Sequence, residues 1–351
     1  MNSERSFSVL IYGAGGMVGG ELLRIITGHP RFKIAGAVSA RKVGKPLAMI
    51  HPHLRHACPD TVFISPEAAR DTPADIAFTS LPHGSASESV AEILLRGIPV
   101  VDLSADFRLK DLGRYERWYG GPHPRPDILD VAVYGLPELH RKELPGASIV
   151  SGVGCNAAAS ILALYPFARS GLIKEALLDV RAGSSEGGSK ANQGSHHPFR
   201  SRALRIVEPF SHRHLAEVSQ ELSLPEENLT MRLTAVENVR GVQVCAEIFL
   251  HEHLREADLW KLFRESYAEE PFVDLCPARP MHLRFPDPRL VTGSNRVLIG
   301  FSTTGKGTRC LVVVALDNLM KGSAGSAVQS ANVVLGIPET TGLLMQPVYP
   351  V

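Results

Sequence analysis

A chain of 351 residues is long enough for two domains, each with its own hydrophobic core. The composition, 44% hydrophobic and 21% charged, is that of an ordinary globular protein, and the net charge of +1 gives no global field that would attract nucleic acid or a membrane surface. A polar N-terminus without a signal-peptide core, and the lack of any apolar run of membrane-spanning length, predict a cytoplasmic protein.

The cysteines predict a reducing compartment and no metal centre. They are odd in number and scattered: Cys58, Cys155, Cys245, Cys276 and Cys310. None forms a C-x-x-C pair, which argues against disulfides and against a zinc cluster. A possible set of metal ligands lies near Cys58, namely His51, His53 and His56. No carboxylate completes a usual ligand set there, so no metal is expected.

The chain opens with a pattern typical of dinucleotide binding. A buried strand over residues 7–12 runs into Gly13-Ala14-Gly15-Gly16-Met17-Val18-Gly19, and a helix continues from Glu21. Glycines at this spacing let the backbone approach a pyrophosphate at the helix N-terminus. The alternative is a glycine-rich turn that binds nothing.

The end of the second predicted strand, residues 32–38, bears on the choice of cofactor. Ser39, Arg41 and Lys42 follow it, where NAD-preferring sites usually place an Asp or Glu on the ribose. A hydroxyl and two cations suit a 2′-phosphate, which predicts NADP(H). The alternative is a solvated turn with ordinary surface charge.

Further α/β units predict an open sheet. Strands are expected over residues 75–79 and 99–102, with a helix over 86–96 between them. Arg108 lies just past the second of these strands, at the edge where open α/β sheets bind ligands. It is a candidate for clamping a phosphate or carboxylate, or else it forms a structural salt bridge.

The middle of the chain holds the candidate nucleophile. Cys155 lies between a strand over residues 147–150 and a helix over 157–167, with Gly152 and Gly154 just before it. A cysteine at a helix start tends to be acidic, and the neighbouring N–H groups can stabilise an oxyanion. The alternative is a small residue that packs the start of the helix.

The second half predicts an α+β domain with a mixed or antiparallel sheet. A strand over 177–181 leads into a small-residue loop, and two alternating strands over 228–237 and 242–251 look antiparallel. A hairpin is expected over 297–316, followed by a helix over 317–332 lined with small residues.

Two histidines and a carboxylate are candidates for acid–base work. His212 and His214 lie in or just before a predicted helix, with Glu217 one turn further on. A histidine beside a thiol can move protons, and a carboxylate can orient it. Which ring faces Cys155 stays open, since either can be a surface or capping histidine.

The segment before these histidines is rich in positive charge. Glu208 is the one acidic residue between positions 190 and 214. The basic residues there are Lys190, His196, His197, Arg200, Arg202, Arg205, His212, Arg213 and His214. A solvated basic loop is one interpretation, and a docking surface for an acidic partner is the other.

Taken together, these residues resemble the N-acetyl-γ-glutamyl-phosphate reductase family over nearly the whole chain. The matching stretches are the Gly13 loop, residues 81–84, 102–109 and 134–139, Gly154-Cys155, His212-Arg-His214 with Glu217, Arg240-Gly241 and residues 317–322. Residues 123–127, 154–156, 195–198, 206–209 and 285–289 are most similar to the branch that acts on substrates linked to the carrier LysW.

The resemblance implies a fold and a domain organisation. The fold class is α/β, with a Rossmann-type NADP-binding domain over residues 1–152 and a semialdehyde-dehydrogenase-like α+β catalytic domain over 153–316. Residues 317–351 would form a C-terminal helix that returns to the first domain. A homo-oligomer, dimer or tetramer, is also expected.

The resemblance further implies NADPH-dependent reduction of an acyl phosphate to a semialdehyde through a Cys155 thioester, in lysine or arginine synthesis. His212 would be the acid/base, with Glu217 orienting it, and Arg108, Asn156 and Arg240 would bind substrate. We also assign a set of cofactor-binding residues, namely Gly13, Ala14, Gly15, Gly16, Met17, Val18, Ser39, Arg41, Ser185, Gly187, Gly188 and Asn318.

The expected partner is a small acidic amino-group carrier protein of the LysW type, whose C-terminal glutamate bears the substrate. Three alternatives stay open at this point. The first is a reductase of free N-acetylglutamyl phosphate, and the second is an aspartate-semialdehyde-like dehydrogenase. The third is a catalytically dead, NADP-binding regulatory protein, against which Cys155, His212 and Glu217 argue.

Overall fold

The computed structural model describes residues 5–210 and 212–351. The polar N-terminus therefore lies mostly outside the described residues. The chain divides into two compact units, one of Met1–Val153 with Ser323–Leu344, and one of Gly154–Gly322 with Met345–Val351. Residues 317–322 and the last segment of the chain thus group with the second unit, whereas the sequence analysis assigned all of 317–351 to a returning C-terminal helix.

The first unit is built on a parallel sheet of seven strands in the order β3-β2-β1-β4-β5-β7-β6. The strands are β1 (Phe7–Tyr12), β2 (Phe32–Val38), β3 (Phe63–Ile64), β4 (Ile76–Thr79), β5 (Val100–Asp102), β6 (Val133–Tyr134) and β7 (Ile149–Ser151). Every pairing is parallel. The order reverses between β1 and β4, which is the switch point where doubly wound sheets bind ligands.

The predicted strands of this unit form because their apolar runs suit a sheet buried on both faces. All four residues of β4 and all three of β5 are buried. The helices of the N-terminal part are α1 (Met17–Thr27), α2 (Leu47–Ile50), α3 (Pro66–Arg70), α4 (Ser87–Leu95), α5 (Leu112–Tyr119), α6 (Pro126–Leu129) and α7 (Pro137–His140).

The second unit contains a mixed sheet in the order β12-β13-β14-β11-β8-β10-β9. Its strands are β8 (Ile173–Ala182), β9 (Leu204–Glu208), β10 (Leu229–Val236), β11 (Val242–Leu250), β12 (Val273–Leu275), β13 (Val297–Thr303) and β14 (Arg309–Leu316). The expected hairpin over residues 297–316 is confirmed, because β13 and β14 pair antiparallel along their length.

The relation between β10 and β11 differs from a simple antiparallel pair. Both strands flank β8, with β10 parallel to it and β11 antiparallel to it. β8 has two edges, and a strand can pair with either of them. The alternation of side chains along β10 and β11 indicates which face each strand buries, but it does not indicate which strand lies beside it. The Arg240-Gly241 connection therefore passes over β8 rather than closing a hairpin.

Among the helices of the second unit, α8 dominates. The full set is α8 (Cys155–Ala168), α9 (His197–Arg200), α10 (His214–Leu222), α11 (Glu256–Tyr267) and α12 (Met281–Arg284). Eleven of the fourteen residues of α8 are buried. In the described residues no helix has both the length and the apolar character needed to cross a bilayer.

The C-terminal helix begins later than the small-residue pattern predicts. A regular helix, α13, covers Gly325–Val334 in the first unit, preceded by a wide turn over Met320–Ala324. The carboxylate of Asp317 accepts hydrogen bonds from the N–H groups of Leu319, Met320 and Gly293. These bonds favour a turn over a helix at residues 317–319.

Asp106 joins two loops at the carboxyl edge of the first sheet. Its buried carboxylate accepts from the N–H groups of Gly84, Ala86 and Ser87, and lies 2.8 Å from His83 Nδ1. Burial by itself raises the pKa of Asp106, but the hydrogen bonds from His83, Gly84 and Ser87 outweigh it and lower the pKa to about 2. The negative charge also sits at the positive N-terminus of α4.

We therefore expect Asp106→Asn to lower the free energy of unfolding at pH 7 by about 1–3 kcal/mol, because buried donors lose a charged acceptor. Since the folded pKa is depressed, the stabilisation is present above the unfolded pKa of about 3.9 and is lost as the pH falls towards 2. Denaturant unfolding at pH 7 and pH 3 measures both effects. Asp60→Asn, at an exposed site, is the control; an equal, small change in both variants would contradict the assignment.

Candidate active site

Cys155 is the first residue of α8. Gly154 before it is extended, with φ −75° and ψ 134°, so the chain enters the helix at Cys155 itself. The first N–H groups of a helix have no partner within it and carry partial positive charge. They provide the setting that stabilises a thiolate and a developing oxyanion. The thiol is partly exposed, whereas Asn156 after it is fully buried.

Two glycines allow close packing around the cysteine. A Cβ on Gly154 would lie 2.7 Å from Glu217 Oε1 and 2.8 Å from His214 Nε2. A Cβ on Gly322 would lie 2.6 Å from the Cβ of Cys155. Neither position therefore tolerates a side chain without movement of the site. Gly154 was singled out from the sequence, whereas the role of Gly322 appears only in the folded chain.

Glu217 connects α10 to the cysteine turn. Its buried carboxylate accepts a hydrogen bond from the Gly154 N–H through Oε2 at 3.0 Å. The other oxygen, Oε1, lies 3.8 Å from His214 Nε2. The described contacts thus bring Glu217 to the buried His214, whereas the expected arrangement has Glu217 orienting His212.

His212 has a different environment. Its Nδ1 accepts a hydrogen bond from the His214 N–H at 3.2 Å, and the two rings meet edge to face with centroids 4.5 Å apart. Burial, with Arg213 nearby, lowers the pKa of His212 to about 4. The ring is therefore neutral at pH 7. Because Nδ1 accepts, the single ring proton is on Nε2, which makes Nε2–H a donor.

A carboxylate that the sequence analysis did not single out lies at the thiol. Glu186 Oε2 is 3.8 Å from Cys155 Sγ and accepts a hydrogen bond from Asn156 Nδ2 at 3.2 Å. Asn156 Oδ1 is itself 3.7 Å from the same sulfur. Glu186 sits in the small-residue loop after β8, where no spacing pattern in the sequence connects it with Cys155.

The same loop meets the segment before the C-terminal helix. Asn318 Nδ2 donates to Ser185 Oγ at 2.8 Å, and Asn318 Oδ1 accepts from the Gly241 N–H at 2.7 Å. Two of the predicted cofactor residues are thus in direct contact. Gly187 and Gly188 have open space where a side chain would be, and Gly188 has φ +72°.

The two arginines predicted to bind substrate are both engaged within their own units. Arg240 forms an ion pair with the buried Asp317, with its Nε 2.9 Å from Oδ2. Arg108 is buried and donates from Nη2 to the backbone oxygen of Leu103 at 3.2 Å. For Arg240, the observed contact supports a structural role that fixes the Asp317 turn.

In the first unit, the glycine loop after β1 is shaped by contacts that exclude side chains. Gly13 has φ +75°, and a Cβ there would lie 2.3 Å from the backbone oxygen of Ser80. A Cβ on Gly19 would lie 2.5 Å from the Gly13 oxygen. The N-terminus of α1 is therefore held close to the loop, with the start of the helix facing the space where a phosphate would be held.

A cation lies directly at this loop. Lys42 Nζ donates to the backbone oxygen of Gly15 at 2.6 Å. Ser39 and the exposed Arg41 are on the same turn after β2. A glycine loop that excludes side chains, with Lys42 bonded to its backbone, fits the phosphates of a dinucleotide. The sequence analysis noted Lys42 as a charge but did not assign it to the site.

One histidine of the group near Cys58 contacts the same loop. The buried His51 has Nε2 2.8 Å from the backbone oxygen of Ala14. In residues 5–210 and 212–351, no three His, Cys, Asp or Glu side chains are arranged to hold a metal ion. All five cysteines belong to that described part, and none is in a disulfide there.

Comparison with family models identifies both units. Residues 8–147 match the NAD binding domain of semialdehyde dehydrogenases, and residues 155–318 match their dimerisation domain. The first unit therefore binds a nicotinamide cofactor. The boundary between the two matches falls just before Cys155.

Curated relatives match the chain along its length. A putative [LysW]-L-2-aminoadipate 6-phosphate reductase of Thermomicrobium roseum is 43% identical, covering 98% of this chain and 99% of the relative. The [LysW]-L-2-aminoadipate/[LysW]-L-glutamate phosphate reductase of Saccharolobus solfataricus is 42% identical, covering 97% and 98%. The [LysW]-L-2-aminoadipate 6-phosphate reductase of Deinococcus radiodurans is 41% identical, covering all of both chains.

Solved structures share the fold at low sequence identity. Aspartate semialdehyde dehydrogenase II of Vibrio cholerae superposes with a TM-score of 0.70 at 16% identity, covering 95% of this chain and 99% of that one. The aspartate semialdehyde dehydrogenase of Candida albicans gives 0.68 at 16% identity, covering 93% and 98%. With relatives above 40% identity over nearly their whole length, the chain is an oxidoreductase that belongs to the semialdehyde dehydrogenase family, in the branch of LysW-linked aminoadipate and glutamate phosphate reductases.

Proposed function

We propose that this protein reduces an acyl phosphate, presented on a small acidic carrier protein of the LysW type, to the corresponding semialdehyde, with NADPH as the reductant. The observation that supports it most is the arrangement at Cys155, a partly exposed thiol at the start of α8 with Glu217 bonded to the residue before it. The full-length relatives named for LysW-linked phosphate reduction supply the substrate class.

The chemistry assigned to the site starts with attack of the Cys155 sulfur on the acyl carbon. The bond from that carbon to the phosphate oxygen breaks, and phosphate leaves with the bonding electrons. A thioester on Cys155 splits one difficult reduction into two easier steps. N–H groups at the start of α8 would stabilise the oxyanion as it forms. A nicotinamide cofactor, when bound, would supply the hydride that reduces the thioester.

The neutral state of His212 suggests its part in this chemistry. With its proton on Nε2, the ring is a hydrogen-bond donor that can stabilise negative charge on the substrate oxygen. His214 stands between this ring and Glu217, which suits a positioning role. We retain His212 as the proposed acid/base group and Glu217 as part of the frame that orients the histidine pair.

The proposed choice of NADPH depends on the turn after β2. Lys42 brings positive charge to the glycine loop, and Ser39 and Arg41 lie on the same turn, where a ribose 2′-phosphate would be held. A charge-assisted contact discriminates strongly because the partner phosphate exists only in NADPH. The roles of Ser185, Gly187, Gly188 and Asn318 towards the cofactor stay predictions.

The proposed carrier would dock on an arm formed by residues 189–210. Arg202 and Arg205 are exposed there, and β9 lies at the edge of the second sheet with all five residues exposed. Large apolar side chains share the arm: Phe199, Leu204, Ile206 and Phe210 are 53%, 80%, 56% and 72% exposed. Positive charge would steer an acidic carrier, and apolar side chains would hold it.

For the cofactor, we expect Arg41→Ala to raise the KM for NADPH about tenfold to a hundredfold and to change the KM for NADH little, because a charged contact contributes about 1.5–3 kcal/mol. Steady-state kinetics with both cofactors test this. Lys33→Ala removes an exposed cation at the opposite end of β2 and is the matched control. Equal effects of Arg41→Ala on both cofactors would place Arg41 in solvent.

For the histidine pair, His212→Ala should lower kcat by roughly 10²–10⁴-fold while NADPH binding and the circular dichroism spectrum stay unchanged. Because the pKa of His212 is about 4, its protonation should not shape the kcat profile between pH 6 and 8. His214→Ala, measured in parallel, decides between the rings. A larger kcat loss in His214→Ala, with folding intact, would assign the acid/base role to His214.

For the carrier, kcat/KM on the carrier-linked acyl phosphate should fall steeply as ionic strength rises, with kcat unchanged, because charge steering acts on encounter. The double variant Arg202→Ala/Arg205→Ala should reproduce the loss at low salt. Arg200 is left intact because its Nη2 is anchored on the backbone oxygen of Ala182. Cys155→Ser should have no turnover on any substrate.

A second substrate separates the alternatives in the same experiment. If free N-acetylglutamyl phosphate is reduced as efficiently as the carrier-linked substrate, and neither salt nor the double variant changes the rates, the carrier is excluded. Turnover by Cys155→Ser at the wild-type rate would overturn the thioester mechanism itself.

A further inference from the structure

We propose that the open edge of β9 binds the C-terminal segment of the acidic carrier as an added strand. The added strand runs antiparallel to β9, which directs its C-terminal end towards the loop beside Cys155. This inference rests on the proposed function, because it takes the acidic carrier as the partner. Neither the family match nor the relatives' names assign a role to β9.

β9 is the last strand on one side of the second sheet. It pairs with β10 along one edge, and in the described part of the chain no strand lies on its other edge. All five residues of β9 are exposed, including the large apolar side chains of Leu204, Ile206 and Val207. An exposed edge with apolar side chains is a template for strand addition. β9 therefore has the features of a strand that acquires a partner.

The pairing with β10 shows which backbone groups of β9 are already used. The Met231 N–H donates to the Phe210 oxygen, so Met231 points towards the β9 side of its strand. Backbone groups alternate between the two sides of a strand, so Ala235, four positions later, points the same way. Ala235 lies opposite Arg205. The N–H and C=O of Arg205 are therefore engaged in the ladder with β10.

The neighbours of Arg205 point the other way. By the same alternation, Leu204 and Ile206 present their N–H and C=O groups to the open edge. Within residues 5–210 and 212–351, no hydrogen bond from outside the sheet reaches these groups. The edge thus offers two donors and two acceptors, which are the groups that an added strand uses.

The Leu204 end of β9 lies on the same side of the sheet as the loop that approaches the thiol. β9 pairs with β10 at Ala235, and Ala235 lies opposite Ala182, the last residue of β8. Glu186, in the loop that follows β8, has its Oε2 3.8 Å from Cys155 Sγ. A strand antiparallel to β9 has its C-terminal end at Leu204. That end therefore points towards the Cys155 side of the sheet.

The distance suits a short extended peptide end. Neighbouring strands lie about 4.8 Å apart, so a strand added to β9 would be about 14 Å from β8. One extended residue spans about 3.3 Å, so roughly four or five residues beyond the paired part would cover this distance. A substrate carried on the last residue of the carrier requires such a free, extended end.

The charge of the arm favours an acidic occupant over a second copy of this chain. The acidic residue of the arm is Glu208, and its Lys and Arg residues are Lys190, Arg200, Arg202 and Arg205. Two copies paired through β9 would bring two positively charged arms together, which is unfavourable, whereas an acidic segment is complementary. Arg200 Nη2 donates to the Ala182 oxygen at 2.7 Å, which holds the arm beside the end of β8.

Amide hydrogen exchange of the full-length protein tests the backbone contacts. With a saturating LysW-type carrier at low salt, the amides of Leu204 and Ile206 should exchange at least about tenfold more slowly, because they gain acceptors. The Arg205 amide, already bonded to β10, should change little. Mass spectrometry with electron-transfer fragmentation resolves these positions. The amides of residues 189–195, in the same arm but outside β9, are the internal control.

A proline variant tests the same contacts through affinity. Ile206→Pro removes one outward N–H and leaves the pairing of Arg205 with Ala235, a substitution that edge strands tolerate. We expect its Kd for the carrier to rise about threefold to tenfold, as for the loss of one hydrogen bond. Ile206→Val keeps the N–H and most of the side chain, and is the matched control. Isothermal titration calorimetry measures both variants, and circular dichroism checks that they fold.

The direction of the added strand is measured with a nitroxide on the last residue of the carrier. The nitroxide should broaden the methyl NMR signals of Leu204 more than those of Val207, because an antiparallel strand ends beyond Leu204. Stronger broadening at Val207 would overturn the antiparallel arrangement.

The outcomes separate this inference from the proposed function. If the carrier binds without protecting the Leu204 and Ile206 amides, or protects the whole arm evenly, only strand addition is overturned. Protection that appears without carrier and grows with protein concentration would assign the edge to a second copy of this chain. If the carrier does not bind and free N-acetylglutamyl phosphate is reduced efficiently, the carrier of the proposed function is excluded as well.

Discussion

The candidate active site depends on one buried hydrogen bond, from the Gly154 N–H to the carboxylate of Glu217. It joins the start of α8, where Cys155 begins the helix, to the first turn of α10, which begins at His214. Both partners are buried, so losing the bond would leave a carboxylate and a backbone donor without water to replace it. The bond therefore fixes where Cys155 stands relative to His214.

The segments that meet at Cys155 pack so closely that glycines are needed beside it. Gly154 must lack a side chain for Glu217 and His214 to reach the turn, and Gly322 must lack one for its segment to pass Cys155. The wide turn over Met320–Ala324 and the Arg240–Asp317 ion pair hold that second segment in place. The two glycines thus help to fix the position of Cys155.

In the first unit, the glycine loop after β1 is likewise shaped by glycines that exclude side chains and by side chains bonded to its backbone. Gly13 and Gly19 exclude side chains, His51 and Lys42 bond to the loop backbone, and Asp106 anchors the neighbouring loops at the same sheet edge. Because parallel strands end together at that edge, residues from distant parts of the chain meet there without a special interaction between them. The glycine loop is therefore shaped both by its own glycines and by side chains from later in the chain.

By itself the sequence determined the elements whose signals are local. The strand before Gly13, the helix start at Cys155 and the β13–β14 hairpin follow from apolar periodicity and glycine placement, and the family follows from motifs in order. Only the tertiary structure decided that β8 separates β10 from β11, that Glu217 accepts from the Gly154 N–H, that Arg240 pairs with Asp317 across 77 positions, and that Glu186 reaches Cys155. Those pairings depend on which surfaces meet after folding, and no periodicity within a segment records its distant neighbours.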